Sequence, residues 1–554
     1  MNTIKKYRLE LIFTLIYFLL FVILTWPLIF HMGSWFIGRG GDPYYDIWLF
    51  RNVALSDMQV NYPHGLPIAN HIISPTYPLL DLWAKIVVSI TGSEVFAYNL
   101  LILLSFPASG LAMYILCRQM TENKTAAFVA GAIFAFAPYR IIKAQYHINL
   151  INTYWIVFFI AAVLFFLKKP NLKRGGLAGL LLGITLADHY QYGFLAFAFS
   201  LIAISLNLIL EKKARQKTVF GALFAAAVAA VTFCFFNFGL VKSAILGTLI
   251  EDFGRNFSLS ELYTYSAQKF FYLLPPPTSL FFGKLFAAKY IYFENQMFGS
   301  MPEYIIYFGY TTMFLAAIGV LAYFKKNQAF VLTFVFFALF SLLVSFAPVF
   351  EIYDLSIKTP GYYIFQKYPF FRVWSRFSLG ALISFCALGA LGLSFLWQKN
   401  KKMIFVLALV LSAAELTPGH INPRAVEKTP PIYNNLPKNC VLAEYPLRPA
   451  DSQQEQIYLN YQRQHSCALI YGAPIGSETD AERRSLEDPS KKETIDKLIE
   501  RGATHIIIHK NFYTSEAAKK ISHLYNNGEV PIISDKRIKL VECYEQMCLY
   551  QITN

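Results

Sequence analysis

Charge is what this sequence has least of. Of its 554 residues, 15% are Asp, Glu, Lys or Arg, against 56% hydrophobic and 17% aromatic. Soluble domains carry about a quarter charged residues, so an ordinary soluble globular protein is excluded and a membrane protein is predicted. The net charge of +15 could suggest nucleic acid, but no basic stripe on one folded face is visible. Six short gaps between apolar runs (1–8, 118–124, 168–174, 211–217, 325–328 and 398–402) hold 18 Lys/Arg and two acids, leaving the rest within one charge of neutral. Lys/Arg-rich loops stay cytoplasmic, so the basicity is a topology signal. An internal repeat of fixed period is missing, as is any low-complexity tract beyond "LLPPPTS". No small-residue cleavage site follows the basic start, so "MNTIKKYRLELIFTLIYFLLFVILTWPLIF" reads as an uncleaved first span rather than a signal peptide.

What is present is a series of apolar runs, most of them near the roughly 20 residues that cross a bilayer core. Spans are expected near 9–30, 94–117, 125–140, 149–167, 175–187, 190–210, 218–241, 303–324, 329–348, 373–397 and 403–417. With the N-terminus inside, the basic gaps are the N-terminus and the connections after spans 2, 4, 6, 8 and 10. Eleven spans therefore satisfy the parity of the charge. The stretch 74–92 carries Asp81 and Lys85 and would break that parity as a span, so it reads as an interfacial helix. The fold class expected is a polytopic α-helical membrane protein, N-in and C-out, with a C-terminal soluble α/β domain. The expected division is 1–417, with a long first outer loop at 31–93, and 418–554.

Within that tail, "CVLAEYPL" and "ATHIIIHK" read as short buried strands. "SKKETIDKLIERG" and "SEAAKKISHLYNNG" read as helices ending at a Gly, and "IKLVECYEQMCLYQI" as a terminal hairpin. Of seven cysteines, Cys117, Cys234 and Cys386 lie in spans and pack as small apolar groups. Cys440, Cys467, Cys543 and Cys548 lie in the tail, where an oxidising compartment permits disulfides. Four cysteines allow three connectivities. A Cys543–Cys548 pair across the hairpin is one candidate.

The ionisable residues gather on the outer side. "GRGGDPYYDIWLFRN" places Asp42 where an N-cap belongs, Pro43 at the first helical position, and Asp46 one turn on and facing the same way. The same side carries Arg140, Lys143 and His147 ("PYRIIKAQYHIN"), Asp188 and His189 ("ADHYQY"), Glu251, Asp252 and Arg255 ("EDFGRN"), and Arg372 and Arg376 ("FFRVWSRF"). Ionisable groups at span ends are costly unless they face one another or a wet cavity, and they mark functional sites. Arg372 and Arg376, four apart at the start of a span, are expected to share a face. Snorkelling to lipid headgroups is the bland alternative for both. His64 and His71, seven apart in a loop, are weak spacing for zinc.

These residues resemble the C-type superfamily of integral-membrane glycosyltransferases, which includes protein O-mannosyltransferases and the aminoarabinose transferase of lipid A. In that superfamily an aspartate follows span one, in a long outer loop whose helices lie along the membrane. Gly41-Asp42 stands in that place here, with 74–92 as the surface helix. "NYPHGLPIANH", the His147 segment, "YTYSAQKF" and "PFFRVWSRFSLG" look like elements of bacterial members. The resemblance covers roughly residues 1 to 400. One departure is that the superfamily often pairs acids as Asp-Glu or Asp-x-Asp, whereas Pro43 follows Asp42 here. The second acid must then come from Asp46 or another loop, and a divalent metal stays an open cofactor.

The resemblance implies a polyprenyl-phosphate-linked sugar as donor, a glycan, lipid or protein acceptor, and a bacterial plasma membrane as location. Asp42 would be the general base in one inverting displacement. Arg140, Arg372 or Arg376 would bind the leaving phosphate, because a guanidinium forks onto phosphate oxygens. Asp46, His147, Asp188, His189, Glu251 and Arg255 would line the substrate. A transporter or lipid flippase is the first alternative; it expects charges deep in spans and repeated halves. A non-catalytic scaffold of the same fold, or another transferase acting on lipid phosphates, is the next.

Overall fold

The computed structural model describes residues 8–54, 77–211, 215–246, 259–268, 270–297, 301–352, 355–367, 369, 371–438, 440–447, 456–465, 467–470, 485–515, 518 and 529–553. Glu251, Asp252, Arg255, His64, His71 and most of "SEAAKKISHLYNNG" lie outside them. The chain divides into two compact units. One comprises Met1–Phe30, Thr76–Leu80 and Leu100–Pro423; the other comprises His31–Pro75, Asp81–Asn99 and Arg424–Asn554. The second unit thus joins part of the segment expected as the first outer loop to the tail, a grouping that the expected division at residue 417 does not make.

The first unit is a helical bundle, and the protein is an integral multi-pass membrane protein. Each of the eleven expected segments contains a helix. Among the described residues seven helices are long and apolar enough to cross a membrane: Glu94–Arg118, Lys124–Tyr146, Ile148–Lys168, Tyr190–Leu210, Arg215–Phe236, Gln328–Ser345 and Ser375–Gln398. The other four, Arg8–Leu24, Leu172–Asp188, Tyr310–Tyr323 and Lys402–Leu416, have 14 to 17 residues, or roughly 21–26 Å of helix. Large apolar side chains such as Phe235, Leu321 and Met403 stand fully out of the bundle, as lipid-facing groups do. Inside, Gly175, Gly179 and Gly183 recur every fourth residue along Leu172–Asp188. A Cβ on Gly179 would come within 2.2 Å of the Ala225 carbonyl oxygen. This small-residue stripe lets Arg215–Phe236 approach backbone to backbone.

The span expected at 303–324 begins later than its apolar run. Met301–Tyr304 is a separate short helix, Gly309 takes φ +87°, and the long helix starts at Tyr310. Glu415 accepts from the Thr311 N–H at 3.0 Å and its hydroxyl at 2.9 Å, capping that start with a carboxylate. Glu303 is therefore outside the span that was expected to contain it.

Strands are short: β1 (Trp35–Phe36), β2 (Val349–Ile352), β3 (Leu355–Lys358), β4 (Arg424–Ala425), β5 (Val441–Tyr445), β6 (Ala468–Leu469), β7 (His505–His509), β8 (Ile538–Tyr544) and β9 (Met547–Ile552). In the first unit β2 and β3 form a hairpin. In the second, β1 pairs with β4, and a five-stranded sheet runs β6-β5-β7-β9-β8 with its first three strands parallel. Every residue of β7 is buried, as a strand covered on both faces must be. Ala443, Tyr445, Ile506 and Ile508 pack with Ile495 and Leu498 of the helix Lys492–Glu500. Leu442, Glu444, Ile507 and His509, alternating with them, take the other face. Disulfides join Cys440 to Cys467 and Cys543 to Cys548.

In the same unit, Pro78–Thr91 carries Leu82, Ile86 and Ile90 exposed at a spacing of four. This apolar stripe is the one an interfacial helix needs. The turn "GRGG" leads into the helix Asp42–Ala54, with Gly40 at φ +86° and Gly41 at +62°. Left-handed backbone is cheap only for glycine. The Gly41 carbonyl takes the Tyr44 N–H at 2.9 Å, so the chain turns sharply and sets Asp42 at the head of the helix.

Candidate functional site

In the bundle a constellation of charge centres on Glu303. Lys143 and Arg376 both pair with its carboxylate, Arg376 Nε lies 3.2 Å from each oxygen, and His147 Nε2 lies 3.0 Å from Oε1. The Lys143 ammonium also donates to the Pro302 carbonyl at 3.0 Å. Glu303 and Lys143 are closed off at 3% and 1% side-chain exposure, whereas His147 and Arg376 reach the surface of the cluster at 17% and 16%. Burial works against a charged Glu303, but Arg376 and Lys143, with the His147 hydrogen bond, outweigh it and hold its carboxyl well below the usual range. Two fixed cations thus meet one carboxylate, and the surplus positive charge lies toward the open side.

The helix Pro138–Tyr146 supplies Lys143, with His147 at its end. A hydroxyl pair, Tyr139 and Tyr192 at 3.1 Å, connects it to the helix Tyr190–Leu210. The His189 ring lies between Tyr77 and Tyr192, 5.9 and 4.7 Å between ring centres. Asp188 is buried and accepts from Asn152 at 2.9 Å. Gln191 donates to the Val373 carbonyl at 2.7 Å, fixing the segment that leads into Arg376.

Arg372 does not share the face of Arg376, contrary to the spacing argument. The Trp374 and Ser375 N–H groups both donate to the Tyr265 carbonyl at 3.0 Å, so helical structure starts only at Ser375. Arg372 turns instead to Tyr265, donating to its hydroxyl at 3.1 Å, and to Glu261 at 3.4 Å. Arg140 is fully enclosed, and its guanidinium donates to the carbonyls of Ala135, Ser105 and Ile151. These bonds join backbone segments and leave it no open face.

In the second unit Asp42 is exposed and Asp46 half-buried on one turn of helix. Among the described residues no third His, Cys, Asp or Glu completes a metal-binding group. Sequence reading missed Glu303, because an acid at the front of an apolar run was absorbed into the span. Pro302 before it and Gly309 after it were the available signals. Glu94 and Gln462, described below, carried no local signal at all.

No family model and no curated protein matches the sequence. Solved structures do match, and the class they define is that of the C-type glycosyltransferases, whose fold this chain shares. One is the archaeal oligosaccharyltransferase AglB from Archaeoglobus fulgidus, in complex with an inhibitory peptide and a dolichol-phosphate. It aligns over 95% of this chain and 72% of its own, at 14% identity and a TM-score of 0.57. Another is the arabinofuranosyltransferase AftD from Mycobacteria, at 12% identity and a TM-score of 0.61, covering 99% of this chain and 42% of that one. At such identities the likeness is one of fold.

Proposed function

We propose that the protein is a membrane glycosyltransferase that moves a sugar from a polyprenyl-phosphate carrier to an extracytoplasmic acceptor. The observation that carries this reading is the Glu303 cluster, where Lys143 and Arg376 outnumber the one carboxylate between them. It occurs in a fold shared with glycosyltransferases, one of them holding a dolichol-phosphate. One cation more than the carboxylate it meets, on a guanidinium that keeps 16% of its side chain exposed, suits a phosphate.

The acceptor oxygen attacks the anomeric carbon and its proton passes to the Asp42 carboxylate. The bond from that carbon to the phosphate oxygen breaks, and its electron pair stays on the polyprenyl phosphate. Configuration inverts in this single displacement. Arg376, with Lys143 and His147, takes the charge that develops on the leaving phosphate. Asp46, Asp188 and His189 are assigned to substrate positioning, and a metal, if used, to Asp42 and Asp46. The membrane proposed is the bacterial plasma membrane, with the tail outside.

Deleting the protein should make a polyprenyl-phosphate sugar accumulate and cost a surface glycan one residue, both read by mass spectrometry. Restoration with Arg376→Ala at matched membrane abundance should leave the sugar unconsumed. A deletion that moves neither pool removes the glycosyltransferase reading.

A further inference from the structure

The tail contacts the helix Asp42–Ala54 along one stripe. Tyr44, Trp48 and Arg51 fall at i, i+4 and i+7. The Trp48 Nε1–H donates to Gln462 Oε1 at 2.7 Å, inside the protein. Arg51 Nη1 lies 3.6 Å from Glu94 Oε1, and the same oxygen accepts from Arg463 Nε at 2.9 Å. Tyr44 faces Glu427, which accepts from the Tyr461 hydroxyl at 3.0 Å. Tyr461, Gln462 and Arg463 are consecutive residues of one tail helix, Ile457–His465. At about 100° per residue, the stripe points roughly opposite to Asp42 and Asp46. The tail therefore grips the back of the helix whose front carries both carboxylates.

The grip has a polarity. Gln462 Nε2 donates to the Cys467 carbonyl at 2.8 Å while Oε1 accepts from Trp48, so turning the amide over would set donor against donor and acceptor against acceptor. Cys467 is held in turn by its disulfide to Cys440, the residue before β5, and by its N–H on His465 Nδ1 at 3.1 Å. An unbroken series of fixed groups runs from the sheet of the tail to the Asp42 helix.

We infer that the C-terminal domain is a positioning module for Asp42, and that Gln462, through Trp48, sets the rotation and depth of the Asp42 helix. This deepens the proposed function and rests on Asp42 as its base. Gln462 is a positioning residue: it touches neither carboxylate.

The test uses the full-length protein in the deletion strain, comparing Gln462→Leu, Trp48→Phe, the double variant and Asp42→Asn. Two quantities are read, conversion of the accumulated lipid-linked sugar at matched abundance and the melting temperature in detergent. Each single variant should lower conversion by about tenfold to a hundredfold, the cost of a misplacement near 1 Å. Each leaves a buried polar group without its partner and should also melt earlier. The double variant leaves neither end of the Trp48–Gln462 bond unpaired, and only the Cys467 carbonyl stays without its donor, so it should melt above Gln462→Leu while conversion stays low. Recovery of conversion together with melting would make the bond merely structural and overturn the inference. So would single variants that convert normally beside an inactive Asp42→Asn. Normal conversion by Asp42→Asn would overturn the base assignment itself and take the inference with it.

Discussion

Two buried glutamates, Glu303 in the bundle and Glu444 in the tail, are held in opposite ways. Glu303 in the bundle is surrounded by Lys143, His147 and Arg376. Glu444 in the tail, 1% exposed, meets the Tyr433 hydroxyl and His509 Nε2 at 2.9 Å, with Oε1 lacking a hydrogen-bond partner among the described residues. The first arrangement has more positive charge than it needs and two members open to the outside. The second is closed and packed with Tyr458 and Phe512 against the His509 ring. A surplus of charge at an accessible edge is what a site offers an anion; a sealed hydrogen-bonded network serves to fix one packing. By that contrast the Glu303 cluster has the make-up of an anion site and the Glu444 network that of a packing element.

The contrast can be broken most easily by Glu303→Gln. Removing the carboxylate leaves the Lys143 ammonium enclosed without its counter-charge, which should cost about 3–5 kcal/mol and show as a large drop in melting temperature. Glu444→Gln keeps an acceptor for Tyr433 and should cost only about 1–2 kcal/mol. Equal losses would erase the distinction between the two sites.

Acid should probe the tail by a different route. Burial pushes the His465 imidazole in the tail down to about 4 from 6.5, with Glu444 opposing it. The folded tail thus binds fewer protons than the unfolded chain in that window. The stability this group contributes is whole above pH 6.5 and is lost as pH falls from 6.5 toward 4. Glu303, held well below the usual carboxylate range, contributes stability that is lost only at lower pH still. Proteolysis of the tail should therefore rise as pH falls through that window, and His465→Gln should flatten that rise. The smallest effect belongs to Arg372→Ala. Its pair with Glu261 is about a third exposed on both sides, so the change should stay within about 1 kcal/mol. Its activity should hold near wild type where Arg376→Ala loses it.

Much of this was legible in the sequence, for reasons of length and sign. An apolar run announces a helix whatever packs against it, and the basic gaps order the runs; each of the eleven segments contains a helix for that reason. The strands at 441–445 and 505–509 and the hairpin at 538–552 were readable because β-branched residues and a short polar turn act locally. The Glu303 cluster was not readable. Its four members come from three separated segments, and the apolar run beside Glu303 is broken at 305–309 before its long helix begins. Arg372 and Arg376 looked like neighbours on a face only while Trp374 was taken as helical, and the Tyr265 carbonyl decides otherwise. Gln462 and Trp48 are 414 residues apart, and nothing local marks either.

Asp42 is the residue on which the account turns. The most direct measurement is the conversion of the accumulated polyprenyl-phosphate sugar in the deletion strain restored with Asp42→Asn, against wild type at equal membrane abundance and equal melting temperature. Loss of a general base costs about 10²–10⁴-fold, so the expected result is an unconsumed lipid-linked sugar and a glycan still one residue short. Full restoration by Asp42→Asn would contradict the account and leave Asp42 as the opening residue of a helix and nothing more.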